Sequence, residues 1–206
     1  MAQYFSCCFI RRVKLLITLQ WVMFMKILVT YFSKTSNTKM IAEAIHEITS
    51  QNNDSTLKDF KNLKAKELSD YDLVFLGSAC HHSNLAPPVL KFINKIPMLP
   101  TLKLAGFITH STYPPEDSER HAELFERWAG KCKKTFEQLK NEKKIDYKGY
   151  YRCMGKPSKP IETFVHKKII TNDDEWGEYL LEVGKHPNET DIENAKKFAE
   201  EILSKC

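Results

Sequence analysis

From Met25 onward, apolar positions along the chain switch repeatedly between two periods. Ile27-Leu28-Val29 is a short, β-branched apolar run of the kind that forms a strand covered on both faces. Just beyond it, Ile41, Ala44, Ile45 and Ile48 recur at helical spacing, which predicts a helix packing one stripe back on that strand. Gln51–Asp54 reads as a polar turn, Ser55–Phe60 as a second, edge strand, and Leu63, Ala65 and Leu68 as a short helical or irregular crossover. Tyr71–Ser78 predicts another buried parallel strand. Pro87 and Pro88 then open a helix, where proline is tolerated in the first turn; it carries Leu90, Phe92 and Ile93 and stops before Pro97. Lys103–Thr109 supplies a further strand through Leu104, Phe107 and Ile108. Ala122, Phe125, Ala129, Cys132, Phe136 and Leu139 follow at intervals of three and four, predicting one amphipathic helix over Ser118–Leu139. Lys148–Met154 reads as the fifth strand, and a last helix begins at Thr190, with Glu193 closing a capping box and Ile192, Ala195, Ala199 and Ile202 buried.

Strands and helices that alternate in this way require a parallel sheet with helices on both faces and right-handed crossovers. Ligands of such sheets bind beyond the carboxyl ends of the strands, where the strand order reverses. The loops after Tyr31, Gly77 and Thr109 therefore meet in space, however distant they are in sequence. Gly155–Asn188 does not fit the alternation. It starts with Pro157 and Pro160, carries Phe164, Val165, Ile169 and Ile170, and then sets Trp176, Tyr179, Leu180 and Val183 at helical spacing. So long a connection is expected to form a satellite cluster over the sheet edge, with a dimer contact or a flap over a ligand as the other uses.

The first of the three loops is the most informative. Ser33, Thr35, Ser36, Asn37 and Thr38 crowd into six residues at the mouth of the first helix, with Lys34 among them. Free backbone N–H groups and the positive end of the helix meet there, so the stretch reads as a phosphate cradle. A single Ser, Thr or Asn would be an ordinary helix cap, and five exceed what a cap requires. Glycine-built cradles are excluded, because neither G-x-x-x-x-G-K-[ST] nor G-x-G-x-x-G can occur in a chain with no glycine before Gly77.

Ser33-Lys34-Thr35-Ser36-Asn37-Thr38 resembles the flavodoxin phosphate loop, whose pattern is Thr or Ser, any residue, Thr, Gly, Asn, Thr; Ser36 stands where that pattern has glycine. The resemblance extends through Tyr71–Pro88 and, more loosely, to the C-terminus. It implies an α/β, flavodoxin-like three-layer sandwich with a five-stranded parallel sheet in the order 2-1-3-4-5 and helices on both faces. It also implies flavin mononucleotide (FMN) as cofactor and electron transfer as function.

On that reading the flavin ring lies against the other two loops. The cofactor-binding candidates there are Ser78, Ala79, Cys80, His81 and His82 in the second, and Thr109, His110, Ser111, Thr112 and Tyr113 in the third. Tyr113 or a histidine offers a stacking surface, and backbone amides and hydroxyls suit the polar edge of the ring. Flavodoxins usually place Trp or Tyr there, where this chain has His81 and His82. A histidine protonated beside the ring would stabilise an anionic reduced flavin. His81, His82, His110 and His121 also invite a metal, but no H-E-x-x-H or comparable spacing supports one.

Composition narrows the picture further. At 206 residues and 42% apolar content the chain reads as one domain spanning residues 25–206, with an extra segment at about 155–188. The net charge is +5, of which Arg11, Arg12 and Lys14 account for three with no acid among the first 24 residues, leaving +2 beyond them. With no basic cluster interleaved with aromatics, nucleic acid is not an expected partner. Leu15–Met25 is apolar but too short to span a membrane, and it runs into the first strand without a cleavage site, so residues 1–24 read as an extension that is disordered or not native. A membrane tether is the other reading of that stretch, with Cys7 and Cys8 as lipid acceptors. Cys80, Cys132, Cys153 and Cys206 lack metal-type pairing and suit a reducing cytoplasm.

Two functions are then in play. One is an FMN carrier exchanging electrons with redox partner proteins. The other is an FMN-dependent oxidoreductase that takes hydride from a nicotinamide donor and reduces a quinone or another small acceptor, using the extra segment to build a substrate site. No separate nicotinamide motif is visible, which ranks the carrier first.

Overall fold

The computed structural model describes residues 24–206. The extension read in residues 1–24 therefore lies, apart from Phe24, outside the described residues. Five long parallel strands form the sheet: β1 (Lys26–Phe32), β2 (Asp54–Asp59), β3 (Leu73–His81), β5 (Lys103–His110) and β6 (Asp146–Met154). Their spatial order is β2-β1-β3-β5-β6, and a two-residue strand β4 (Asn84–Leu85) pairs antiparallel with the end of β3. Discounting β4, this is the order 2-1-3-4-5 expected for the flavodoxin-like arrangement.

The continuous apolar runs of the central strands follow from burial on both faces. Leu28, Val74, Leu76, Leu104 and Ile108 point into one core with Val89, Phe92 and Ile93 of α2 (Pro87–Lys95) and Cys132, Phe136 and Leu139 of α4 (Lys131–Glu142). Ile27, Val29, Phe75, Ala105 and Phe107 point into the other core with Ile41, Ala44 and Ile45 of α1 (Asn37–Thr49) and Ala195, Ala199 and Ile202 of α7 (Glu189–Ser204). The result is three layers. β2 is half-buried along its length, as suits an edge. The crossover from β2 to β3 is made by two 3₁₀ turns, Phe60–Asn62 and Ala65–Asp70.

Several boundaries differ from the sequence expectation. The helix expected over Ser118–Leu139 is two helices, α3 (Glu119–Ala129) and α4, broken at Gly130. The N–H of Lys131 donates not to the preceding turn but across to the carbonyl of Ser83, at 3.1 Å. The capping box of α7 lies two residues earlier than expected: Asn188 Oδ1 accepts from Asp191 N at 3.0 Å and Asp191 Oδ2 from Asn188 N at 2.8 Å. β3 starts later than Tyr71 and runs on to His81, while β6 starts at Asp146, with a register irregularity opposite Leu104/Ala105.

The long connection after β6 forms α5 (Lys159–Lys168) and α6 (Asp173–Val183). Val165, Ile170, Tyr179 and Val183 make a third apolar cluster with Met154 at the end of β6, packed beside Tyr113. A satellite cluster does form, but at the carboxyl end of the sheet rather than over its edge. Among the described residues no helix is long and apolar enough to cross a membrane.

Candidate functional site

Phe32 stands level with Ser78, Ala79 with Thr109, and His110 with Met154, so the loops that follow these strands open at the same end of the sheet. The first loop turns through Ser36, whose φ of 67° and ψ of −7° lie in the left-handed region. Only glycine enters that region without steric cost, which explains why the resembled pattern has glycine at this place. The first backbone bond of α1 runs from Met40 N to Ser36 O at 3.0 Å. The amides of Asn37, Thr38 and Lys39 have no acceptor among the described residues, no side chain caps the helix, and its first turn holds no acid. The cluster of Ser, Thr and Asn is thus not spent on capping.

Its members divide into two sets. Thr38 is buried, and its Oγ1 lies 2.8 Å from Oγ1 of Thr109, joining the helix start to the end of β5. Asn37 Nδ2 donates to the carbonyl of Lys156 at 2.8 Å. Lys34, Thr35 and Ser36 are exposed around the free amides. The buried Oγ of Ser33 has no partner among the described residues.

The second loop is a hairpin. His82 (φ 50°) and Ser83 (φ 70°) are both left-handed, as a two-residue turn between β3 and β4 demands, although neither is the Asn or Gly that usually supplies it. The turn is held from outside: Asn84 Oδ1 accepts from Leu85 N at 2.8 Å and from Thr135 Oγ1 at 2.7 Å, and Ser83 O accepts from Lys131 N. Ser78 is fully buried, its hydroxyl donating to Ala79 O at 2.8 Å and accepting from Ala86 N at 2.9 Å. His81 meets Phe32 edge-on at 6.3 Å, and burial, with Lys34 and His82 adding to it, lowers its pKa. It is neutral at physiological pH.

In the third loop His110 is buried against Phe125, with ring centroids 5.0 Å apart, and its Nδ1 has no partner among the described residues. Burial first, then the nearby Arg152, drops its pKa to about 3. Tyr113 stacks flat on His121 at 3.9 Å and 1°, meets Tyr179 edge-on at 5.5 Å, and donates from its hydroxyl to Glu175 Oε1 at 3.3 Å. Burial and the Glu175 carboxylate push its pKa up to about 12. The ring is held rigid, and its hydroxyl stays protonated.

A cavity of about 310 Å³ opens between the second and third loops. Cys80, His81, His82 and Ser83 form one side and Ser111, Thr112 and Tyr113 another, while Ile161, Phe164 and Val165 of α5, with Trp128 and Tyr179, close it with an apolar wall. Trp128 and Phe164 meet edge-on at 5.5 Å across its rim. Seven of the sixteen sequence-predicted site residues, Cys80, His81, His82, Ser111, Thr112 and Tyr113 with the adjoining Ala79, are thereby at or beside the cavity, and Ser33–Thr38 form the first loop at the same end of the sheet. Ser78, Thr109 and His110 face the interior and brace the loops instead.

Gly155 was not among the predicted residues, yet it joins the first and third loops. Its N–H donates to His110 O at 2.8 Å, its carbonyl accepts from Ser111 Oγ at 2.9 Å, and a Cβ there would lie 2.7 Å from Asn37 Nδ2. A glycine directly after the last strand, at the switch-point end, was the available signal. Trp128 and Phe164 carried none, since an aromatic at helical spacing reads as core. Among the described residues no group of three or more His, Cys, Asp or Glu is placed to hold a metal ion.

The comparisons with known proteins agree with this geometry. No curated protein matches the chain in sequence. Among solved structures, a flavodoxin from the domain Archaea superposes with a TM-score of 0.55 at 19% identity, covering 88% of this chain and 98% of its own. Oxidised flavodoxin 1 from Bacillus cereus gives 0.57 at 17% identity, with 87% and 98% covered. Rubredoxin oxygen:oxidoreductase from Desulfovibrio gigas gives 0.56 at 15% identity over 87% of this chain but 35% of that one. At these identities the likeness is one of fold. The family model described as a flavodoxin domain matches residues 28–200, and the chain belongs to the flavodoxin family.

Proposed function

We propose that the protein binds FMN and serves as an electron-transfer protein, with the phosphate at Ser33–Thr38 and the ring in the cavity between the second and third loops. One observation carries this reading. The N-terminus of α1 presents three amides without acceptors beside the buried, unpartnered Ser33 Oγ, with no acid in the first turn. Amides at an open helix N-terminus draw an anion, and a phosphate dianion satisfies several such donors at once. Lys34 adds a compensating charge at the mouth.

Bound FMN would supply one- or two-electron chemistry. The protein's own part is to hold the ring and set its surroundings. Tyr113, fixed by His121 and Glu175, offers a flat face and a hydroxyl that remains protonated; His81 is uncharged; Ser111 and Thr112 offer polar atoms toward an edge. Trp128, Ile161 and Phe164 keep water from the apolar side. The partners proposed are redox proteins of the same reducing, cytoplasmic compartment, consistent with four free thiols among the described residues.

The carrier role is tested anaerobically on FMN-loaded protein. The expected result is that NADPH alone leaves the flavin absorbance unchanged over minutes, and that adding a flavoprotein reductase bleaches it. Rapid bleaching by NADPH alone, followed by quinone-dependent reoxidation, would overturn the carrier reading in favour of an oxidoreductase.

A further inference from the structure

Cys80 is the last residue but one of β3, half-buried, with its side chain lining the cavity. Cys132, the second residue of α4, is fully buried behind it. Their sulfurs are 3.4 Å apart, and the Cys132 thiol donates to Cys80 Sγ while Cys80 donates to the carbonyl of Trp128 at 3.3 Å. We propose that Cys80 and Cys132 form a redox pair, a dithiol that closes reversibly to a disulfide by exchange with low-molecular-weight disulfides that enter the cavity when no flavin fills it.

The placement suits the chemistry. A disulfide bond is about 2.05 Å long, so the two sulfurs, now 3.4 Å apart, need to approach by little more than 1 Å. The two segments that must move together are already tied, because Ser83, three residues beyond Cys80, accepts the N–H of Lys131, the residue before Cys132. Each cysteine adjoins a break in regular structure, the left-handed turn at His82 and Ser83 and the interruption at Gly130, where small adjustments are least costly. The other two thiols among the described residues do not compete for either sulfur: Cys153 belongs to the core on the opposite face of the sheet, and Cys206 is exposed after α7.

The order of attack follows from exposure. Cys80 faces the cavity, and its thiolate attacks one sulfur of the small disulfide. The S–S bond breaks, one small thiolate leaves and takes up a proton, and Cys80 is left as a mixed disulfide. Cys132 is protected by burial, and its hydrogen bond to Cys80 together with desolvation pushes its thiol well above the usual range, so it is the resolving thiol. Once deprotonated, it attacks Cys80 Sγ and releases the second small thiol. In the balance two protein thiols are oxidised to one disulfide, and one small disulfide is reduced to two thiols; a thiol reductant reverses both steps.

Peptide mapping of the full chain after treatment with oxidised glutathione and rapid alkylation tests this. The expected product is a Cys80–Cys132 cross-link with a mass lowered by two hydrogens, reopened by dithiothreitol and formed faster as pH rises. Cys132→Ala should instead accumulate a Cys80–glutathione adduct that does not resolve, and Cys80→Ser should take up glutathione at neither position. Wild-type protein that keeps glutathione on Cys80 with Cys132 free, or that leaves Cys80 unmodified, would overturn the proposal whether or not either variant folds.

Discussion

At Ser36 two energies of similar size oppose each other. Holding a residue with a Cβ at φ 67° costs roughly 1–2 kcal/mol, whereas a glycine there would lose about 0.5–1 kcal/mol of extra unfolded-state freedom. The steric term is the larger. Ser36→Gly should therefore stabilise the protein by about 0.5–1 kcal/mol, read as a higher urea midpoint with an unchanged slope. A lower midpoint would mean that the serine hydroxyl supports the turn. His110 makes the opposite kind of claim. Its folded pKa of about 3 lies below that of an unfolded histidine near 6.5, so the unfolded chain binds the proton more readily. The stability this group contributes is full above about pH 6.5 and is lost progressively as pH falls toward 3. Comparing urea midpoints at about pH 7.5 and about pH 4, His110→Leu should show a smaller drop than the wild type. Sequence could not separate the histidines of these loops, because His81 and His110 occupy equivalent places after neighbouring strands. Burial separates them, leaving His81 at the cavity and closing His110 behind Phe125.

Among the elements, α6 is tied to the third loop by two hydrogen bonds, Tyr113 Oη to Glu175 Oε1 and the part-buried one from Tyr179 Oη to the carbonyl of Ser111 at 2.8 Å. Tyr179→Phe keeps the ring against Tyr113 and Trp176 but strands that carbonyl, which should cost about 1–2 kcal/mol in denaturant unfolding. No loss would mean that the Tyr179 hydroxyl adds nothing to the apolar contacts and the Tyr113–Glu175 bond that also hold α6. The wall of the cavity makes a second case. A double-mutant cycle on Trp128 and Phe164 should give a coupling of about 0.5–1.5 kcal/mol, as an edge-on aromatic pair does, and a value near zero would mean that α5 does not close over the site. Of the two helices of this segment only α6 was legible as helical spacing, since Trp176, Tyr179, Leu180 and Val183 share a face, whereas the stretch of α5 showed only its apolar residues Phe164 and Val165. Their place at the mouth of the site was not, because nothing local encodes which end of the sheet a long connection crosses. The break at Gly130 was hidden for a similar reason: the apolar period runs unbroken through it, and the interruption comes from the distant Ser83 carbonyl.

Over the whole molecule, the alternation of strand and helix patterns was enough to derive the parallel sheet, its covered faces and the convergence of three loops. Those features depend on burial, which the sequence displays directly. The loop at Ser33–Thr38 stood out as well, because its crowding of hydroxyl and amide side chains exceeds what a helix cap uses. Gly155 was not, since its role rests on three contacts made with segments far away in the chain. It gives a prediction for the assembled site: Gly155→Ala should displace Asn37 and weaken flavin affinity by about tenfold while the circular dichroism spectrum is retained. The measurement that tests the central claim most directly is a titration of the full chain with FMN and, in parallel, with riboflavin, followed by flavin absorbance and fluorescence. The cradle at Ser33–Thr38 predicts saturable binding of one FMN with micromolar or tighter affinity and binding of the phosphate-free riboflavin weaker by about 100-fold. FMN that does not bind, or that binds no better than riboflavin, would contradict it.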